Sequence, residues 1–264
     1  MTRRTPLLLT GGVLLLGVVV FLLLRRPPVA ETSGSSIIQA LQGGTGRPSR
    51  PSARRRTRTT PPAPDPCDLL LVRDTSSRVR MSAASALAEC KKIPAERRAE
   101  LLLDALGQEI TMPASGPPLA GSYLPLTGVF RLHYVHMIED LGSSAADPAR
   151  AALQNSSGLR REWASIALGA TGAKDAAPAL RELLRSSEHA DVRMSAAYFL
   201  GRLGDRSAVG DLKAALSDPA TARVVSDVSE ERGQTLYLVR EQAAGALMAL
   251  GLTVERNGHT FTAN

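Results

Sequence analysis

A segment that recurs at a fixed distance restricts a chain more than composition does, because each copy must fold alike and pack on the one before. Here that segment is Val192 to Gly204, VRMSAAYFLGRLG. Shifted back by 32 residues, its Arg193, Ala196, Leu200, Gly201 and Gly204 fall on Arg161, Ala164, Leu168, Gly169 and Gly172. Downstream, Leu212, Lys213 and Leu216 fall on Leu180, Arg181 and Leu184. The same frame fits Arg240, Ala243, Leu247, Leu250 and Gly251, and also Arg80, Ala83 and Leu87. A weaker copy starts at Arg131 and keeps Ile138, Leu141 and Gly142. A period near 30 residues marks a stack of small units that bury their apolar faces only against one another.

Inside each copy the spacing is helical. Val79, Ala83, Ala86, Leu87 and Cys90 follow a three-four spacing and give one apolar face. Pro94 suits a first helical position, and Leu101, Leu102, Leu103 and Leu106 mark a second helix. Asp147-Pro148 starts the second helix of the weak copy. The predicted unit is therefore a first helix rich in Ala and a second rich in Leu. Two steps exceed the period, about Ile110 to Thr127 and Ala220 to Thr235. Both follow a second-type helix and precede a first-type helix, which places them along one edge of the stack. Loops of that length inside a compact domain are often functional.

The residues Asp191-Val192-Arg193-Met194-Ser195-Ala196-Ala197, with their Leu-Gly continuation, resemble HEAT-like repeats of the phycobilisome-lyase type. The resemblance covers about residues 68–252 and is best in the middle copies. It implies an all-α fold, a HEAT-like α-solenoid of about five helical hairpins stacked with a right-handed turn. Relatives of this kind are mostly interaction scaffolds, with a minority of enzymes, so the fold alone fixes no activity.

Ahead of the repeats the chain changes character. Residues 1–5 form a short tail, and residues 6–24 are an uncharged run bracketed by Arg3, Arg4, Arg25 and Arg26. As a helix this run would span roughly 28 Å, close to the ~30 Å hydrocarbon core, so a transmembrane helix is expected there. A cleavable signal peptide has a shorter apolar region and a small-residue cleavage site, and Pro28 stands where a small residue is wanted. Residues 25–66, rich in Pro, Arg, Ser and Thr, read as a disordered linker. Within it Arg54, Arg55, Arg56 and Arg58 either grip anionic lipid or form a solvated, self-repelling tether. The repeats then occupy 67–252, and 253–264 is a C-terminal tail.

Charge divides along the same line. Residues 1–62 hold ten Arg and one Glu, whereas residues 63–264 hold 22 basic and 24 acidic side chains. A basic nucleic-acid footprint would belong to the folded part, and it is absent from it. With aromatics at 3%, base-stacking platforms are excluded as well. The expected partner is a protein, with no nucleic acid. Flanking charge favours the N-terminus inside by a small margin. The expectation is a single-pass protein of the inner membrane whose C-terminal domain is periplasmic, the compartment suggested by the Arg- and Ala-rich composition. There Cys67 and Cys90 would either pair or remain two buried thiols.

Chemistry-bearing residues are few. The recurring Arg80, Arg131, Arg161, Arg193 and Arg240 either brace the stack or line a groove for an acidic ligand, and bracing is the favoured reading. His133, His136 and Glu139 spread over about 120° of helix and suit a metal only marginally. Trp163, Tyr198 and Tyr237 read as packing residues. No phosphate loop or serine-nucleophile elbow is present, and neither Cys adjoins a His. No catalytic residue, cofactor or metal is expected. The leading function is a membrane-anchored, non-catalytic scaffold; the alternative is an enzyme on the same fold, acting on tetrapyrroles or nucleic acid.

Overall fold

The computed structural model describes residue 67 and residues 77–111, 126–223 and 235–264. These lie in the compact unit Ala63–Asn264. The expected transmembrane run 6–24 and the arginines Arg54, Arg55, Arg56 and Arg58 lie outside the described residues, as do the middles of both long steps. Among the described residues no helix is long and apolar enough to cross a membrane.

Helices follow the repeat. Helix α1 is Ser77–Glu89 and α2 is Ala95–Thr111. Helix α3, Leu126–Leu141, leads through a 3-10 turn into α4, Ala146–Gln154. Then come α5 (Gly158–Ala170) with α6 (Ala177–Ser186), and α7 (Ala190–Leu203) with α8 (Val209–Ala215). Two-residue strands β1 (Ala222–Arg223) and β2 (Thr235–Leu236) precede α9, Leu238–Ala249. Odd-numbered helices are the first type, Ala-rich in α1, α5, α7 and α9, and even-numbered ones the second type, Leu-rich in α2 and α6; α3 holds no Ala, and α4 only one Leu. Pro94 sits one residue before α2, where its carbonyl accepts the Arg98 amide at 3.0 Å.

Burial explains the two compositions. Every residue of α5 from Trp163 to Ala170 is buried, and α7 is buried at eight of its positions. These helices are covered on several sides, since α7 packs against α5, α6 and α9. Small Ala and Gly side chains let the backbones approach that closely. The second-type helix α6 buries only Leu180 and Leu184, the pattern of an amphipathic outer layer. Each such Leu, removed from water, stabilises the stack by roughly 1.5–3 kcal/mol.

The glycine columns have two separate causes. Gly142, Gly172, Gly204 and Gly251 all take positive φ, 58° to 90°, where first-type helices end. Asp205 N then donates to Leu200 O at 3.2 Å, and Leu252 N to Leu247 O at 3.0 Å, closing those helices with left-handed caps. Gly201 instead provides clearance: a Cβ there would stand 2.7 Å from Ala246 Cα on α9.

The chain end departs from the all-α expectation. Residues 253–264, expected as a tail, form an antiparallel hairpin of β3 (Val254–Asn257) and β4 (Thr260–Ala263). Its Val254, Phe261 and Ala263 pack against the core beside α9. The fifth unit is thus one helix completed by a β-hairpin, and not a helical hairpin. The reason is local: Asn257-Gly258 is a hairpin signal, Gly258 takes φ 62° in the turn that pairs Asn257 with Thr260, and β-branched Val254, Thr260 and Thr262 suit strands.

Candidate functional site

Each first-type helix begins with the recurring arginine, and the structure gives these five side chains different partners. Arg80 is buried and pairs with Glu109 on α2, Nη2 to Oε2 at 2.7 Å. The Tyr134 hydroxyl shares that pocket, and burial, then the Glu109 charge, push it up to about 12 against the opposing pull of Arg80. Arg131 is buried too, and its Nη1 lies 3.4 Å from Asp191 Oδ2 on α7 while its guanidinium stands over the Trp163 ring. Arg161 is exposed and donates to Leu153 O at 3.5 Å. Arg193 grips Asp218 with Nε at 2.7 Å and Nη2 at 3.1 Å, and donates to Ser187 O at 2.7 Å. Arg240 donates to Asp218 O at 2.6 Å and to His259 O at 3.1 Å in the terminal hairpin. Asp218 therefore receives two consecutive members of the column.

Cys67 and Cys90 are joined by a disulfide with Cα atoms 5.8 Å apart. The bond ties the first described residue of the folded unit to the turn after α1.

Additional ties carry no repeat signature in the sequence. Arg150 binds Asp175 at 2.7 Å and Arg185 binds Asp211 at 3.3 Å, each joining one hairpin to the next, while Ser187 Oγ donates to Glu162 Oε2 at 2.8 Å within the α5–α6 hairpin. All three span 25 or 26 residues. That near-constant spacing is the signal that would have found them.

The polar groups richest in mutual contacts lie on α3 and α7. Glu139 accepts from Arg202 Nη1 at 2.5 Å and from His136 Nδ1 at 3.0 Å. Arg202 Nη1 also donates to the Tyr198 hydroxyl at 3.1 Å. Burial alone would raise the Glu139 carboxyl, but His136 and Arg202 outweigh it and hold the group below its ordinary range. His133 is turned elsewhere. Its Nε2 is hydrogen-bonded to Ser85 Oγ on α1 at 3.0 Å, and burial, aided by nearby His136, lowers it to about 4. His133 is thus not gathered with His136 and Glu139, and no group of three metal-ligating side chains occurs among the described residues. Trp163 is buried in α5, Tyr198 is edge-on to Phe199, and Tyr237 lies beside His259.

This set of helices also matches a known pattern. The family model described as HEAT repeats matches residues 129–201 and again 146–230. Residues 129–230 thus resemble HEAT repeats. No curated protein matches the chain. In HEAT-like arrays the hairpin edges and faces are the available surfaces, and here both long steps connect a second-type helix to the next first-type helix. The first leaves α2 at Thr111 and rejoins at Leu126; the second leaves at Arg223 and rejoins at Thr235. Ala222 pairs with Leu236 and Arg223 with Thr235, so the ends of the second step are fastened together.

Proposed function

We propose that this chain is a non-catalytic scaffold, held at a membrane by residues 6–24, that binds a protein partner along the edge bearing its two long steps. The HEAT-like array supports the scaffold part, since such stacks present extended surfaces to other proteins. The observation that carries the choice of edge is the shared joint: α2 to α3 and α8 to α9 are the two lengthened connections, and the others are short. The uncharged run with its flanking arginines supports the anchor, and the Arg3 and Arg4 side supports an inward N-terminus. On that reading the repeat domain is periplasmic, with residues 25–66 as its tether. The Asp191-Val192-Arg193 pattern supports placing the repeats in the phycobilisome-lyase type.

The test is to shorten 110–127 and 220–235 to tight turns and use the full chain as bait. Melting and helicity should be nearly unchanged while capture of the partner drops. Unchanged capture would move the site to a helical face and end the edge reading.

A further inference from the structure

A groove opens between α2, α4 and the start of α5. Its volume is about 140 Å³. An engineered cavity of about 150 Å³ accepts a benzene ring, so one aromatic or branched side chain fits here. Leu103, Leu106, Ile110 and Ala164 supply an apolar lining.

Polar side chains also line the groove, among them Arg160 and Asp104, both exposed, and Ser156. Arg160 belongs to the groove wall, and among the described residues no carboxylate lies within ion-pair distance of it. Asp104 also lines the groove but does not pair with Arg160. The Ser156 hydroxyl is buried without a hydrogen-bond partner. At Gly107 a Cβ would stand 2.0 Å from Arg160 Nη2, so the guanidinium rests on bare backbone. A buried hydroxyl and an unneutralised guanidinium beside an apolar slot describe a receptor for a carboxylate next to an apolar side chain. The adjacent step cannot provide that carboxylate, because residues 110–127 contain no Asp or Glu.

We propose that this groove takes an acidic peptide segment of the partner, its apolar side chain in the slot and the neighbouring carboxylate on Arg160 and Ser156. The assignment rests on the scaffold reading and names the chemistry of the bound segment. Its probe is an array of immobilised synthetic peptides in a Gly-Ser context, each with a central apolar–Glu or apolar–Gln pair, incubated with the detergent-solubilised full chain. Apolar–Glu peptides should bind more tightly than their Gln counterparts on the order of tenfold, the size of one charge-assisted hydrogen bond. Arg160→Gln should erase that difference. Gly107→Ala should weaken apolar–Glu binding while leaving the melting curve in place, since the added Cβ displaces only the flexible end of Arg160.

Equal binding of Glu and Gln peptides, or discrimination that survives Arg160→Gln, overturns the assignment. A chain that still captures its partner through the long steps, yet ignores the charge of the peptide, overturns the groove and leaves the scaffold reading standing. Loss of capture on trimming the steps is measured separately.

Discussion

Arg202 on α7 reaches Glu139 on α3, with Nη1 2.5 Å from Oε1, although α5 packs against both helices and separates them in sequence. Arg131 and Asp191 make a second bridge between the same two helices near their other ends. The long arginine side chains let alternate hairpins meet over the one between. Each bridge joins the ends of a three-hairpin block.

The Arg202–Glu139 bridge should behave as a modest, salt-sensitive coupling, because the arginine side chain is 55% exposed. A double-mutant cycle with Arg202→Ala and Glu139→Gln is expected to give about 0.5–1 kcal/mol at low salt, declining as ionic strength rises. Zero coupling at low salt would mean the contact does not hold the block.

The Arg80–Glu109 pair is a different case, since both side chains are almost fully buried. Replacing Glu109 with Ala removes the buried carboxylate of that pair and should cost about 3–5 kcal/mol, read as a lower denaturant midpoint. A loss below about 1 kcal/mol would show that water reaches the site.

His133 makes stability depend on pH. Its folded-state value is depressed to about 4 from an ordinary 6.5, so the unfolded chain binds a proton that the folded chain refuses. Stability should therefore fall as pH drops from about 6.5 towards 4, with about 2 kcal/mol lost by pH 5. Glu139, held below its ordinary 4.5, acts in a lower window and loses its contribution only as pH falls beneath that value. His133→Gln should flatten the profile between pH 7 and 5 and leave the lower limb. An unaltered upper limb would assign the effect to another group.

Gly169 and Gly201 align in sequence but should respond unequally to Ala. At Gly201 the new Cβ meets the Ala246 backbone at 2.7 Å, which cannot yield without moving α9. At Gly169 the nearest atom is Leu180 Cδ1 at 2.8 Å, the end of a side chain that can rotate. Thermal melts should show about 1–3 kcal/mol lost for Gly201→Ala and less for Gly169→Ala. The reverse order would place the tight crossing between α5 and its neighbours.

The distribution of these effects shows what a single chain reveals of its own structure. The match of Val192–Gly204 to the copy 32 residues earlier carried α5 and α7, because a column of identical residues reports a shared local geometry. The lengthened steps were visible for the same reason, as departures from the period. The bridges from α3 to α7 were not visible: they depend on side chains reaching past the hairpin between, which no pairwise alignment of copies contains. Glu139 occupies the column position of Gly169 and Gly201, so its mismatch looked like decay of the weak copy and not like a contact. Asn257-Gly258 did signal the terminal hairpin, but it lies past the last recognisable helix, where no repeat drew attention to it. The groove at Arg160 needed three helices in place before it could be noticed that no carboxylate pairs with that arginine.

The disulfide has a mechanical consequence. Any tension carried by residues 1–66 arrives at Cys67 and can pass through sulfur to Cys90, bypassing the backbone between them. The 23 intervening peptide links, roughly 80 Å of chain if drawn straight, are thereby removed from the loaded path. Helix α1 is spared the pull, and the load is first felt at the turn into α2. Cutting that bond would return those 23 links, α1 among them, to the loaded path.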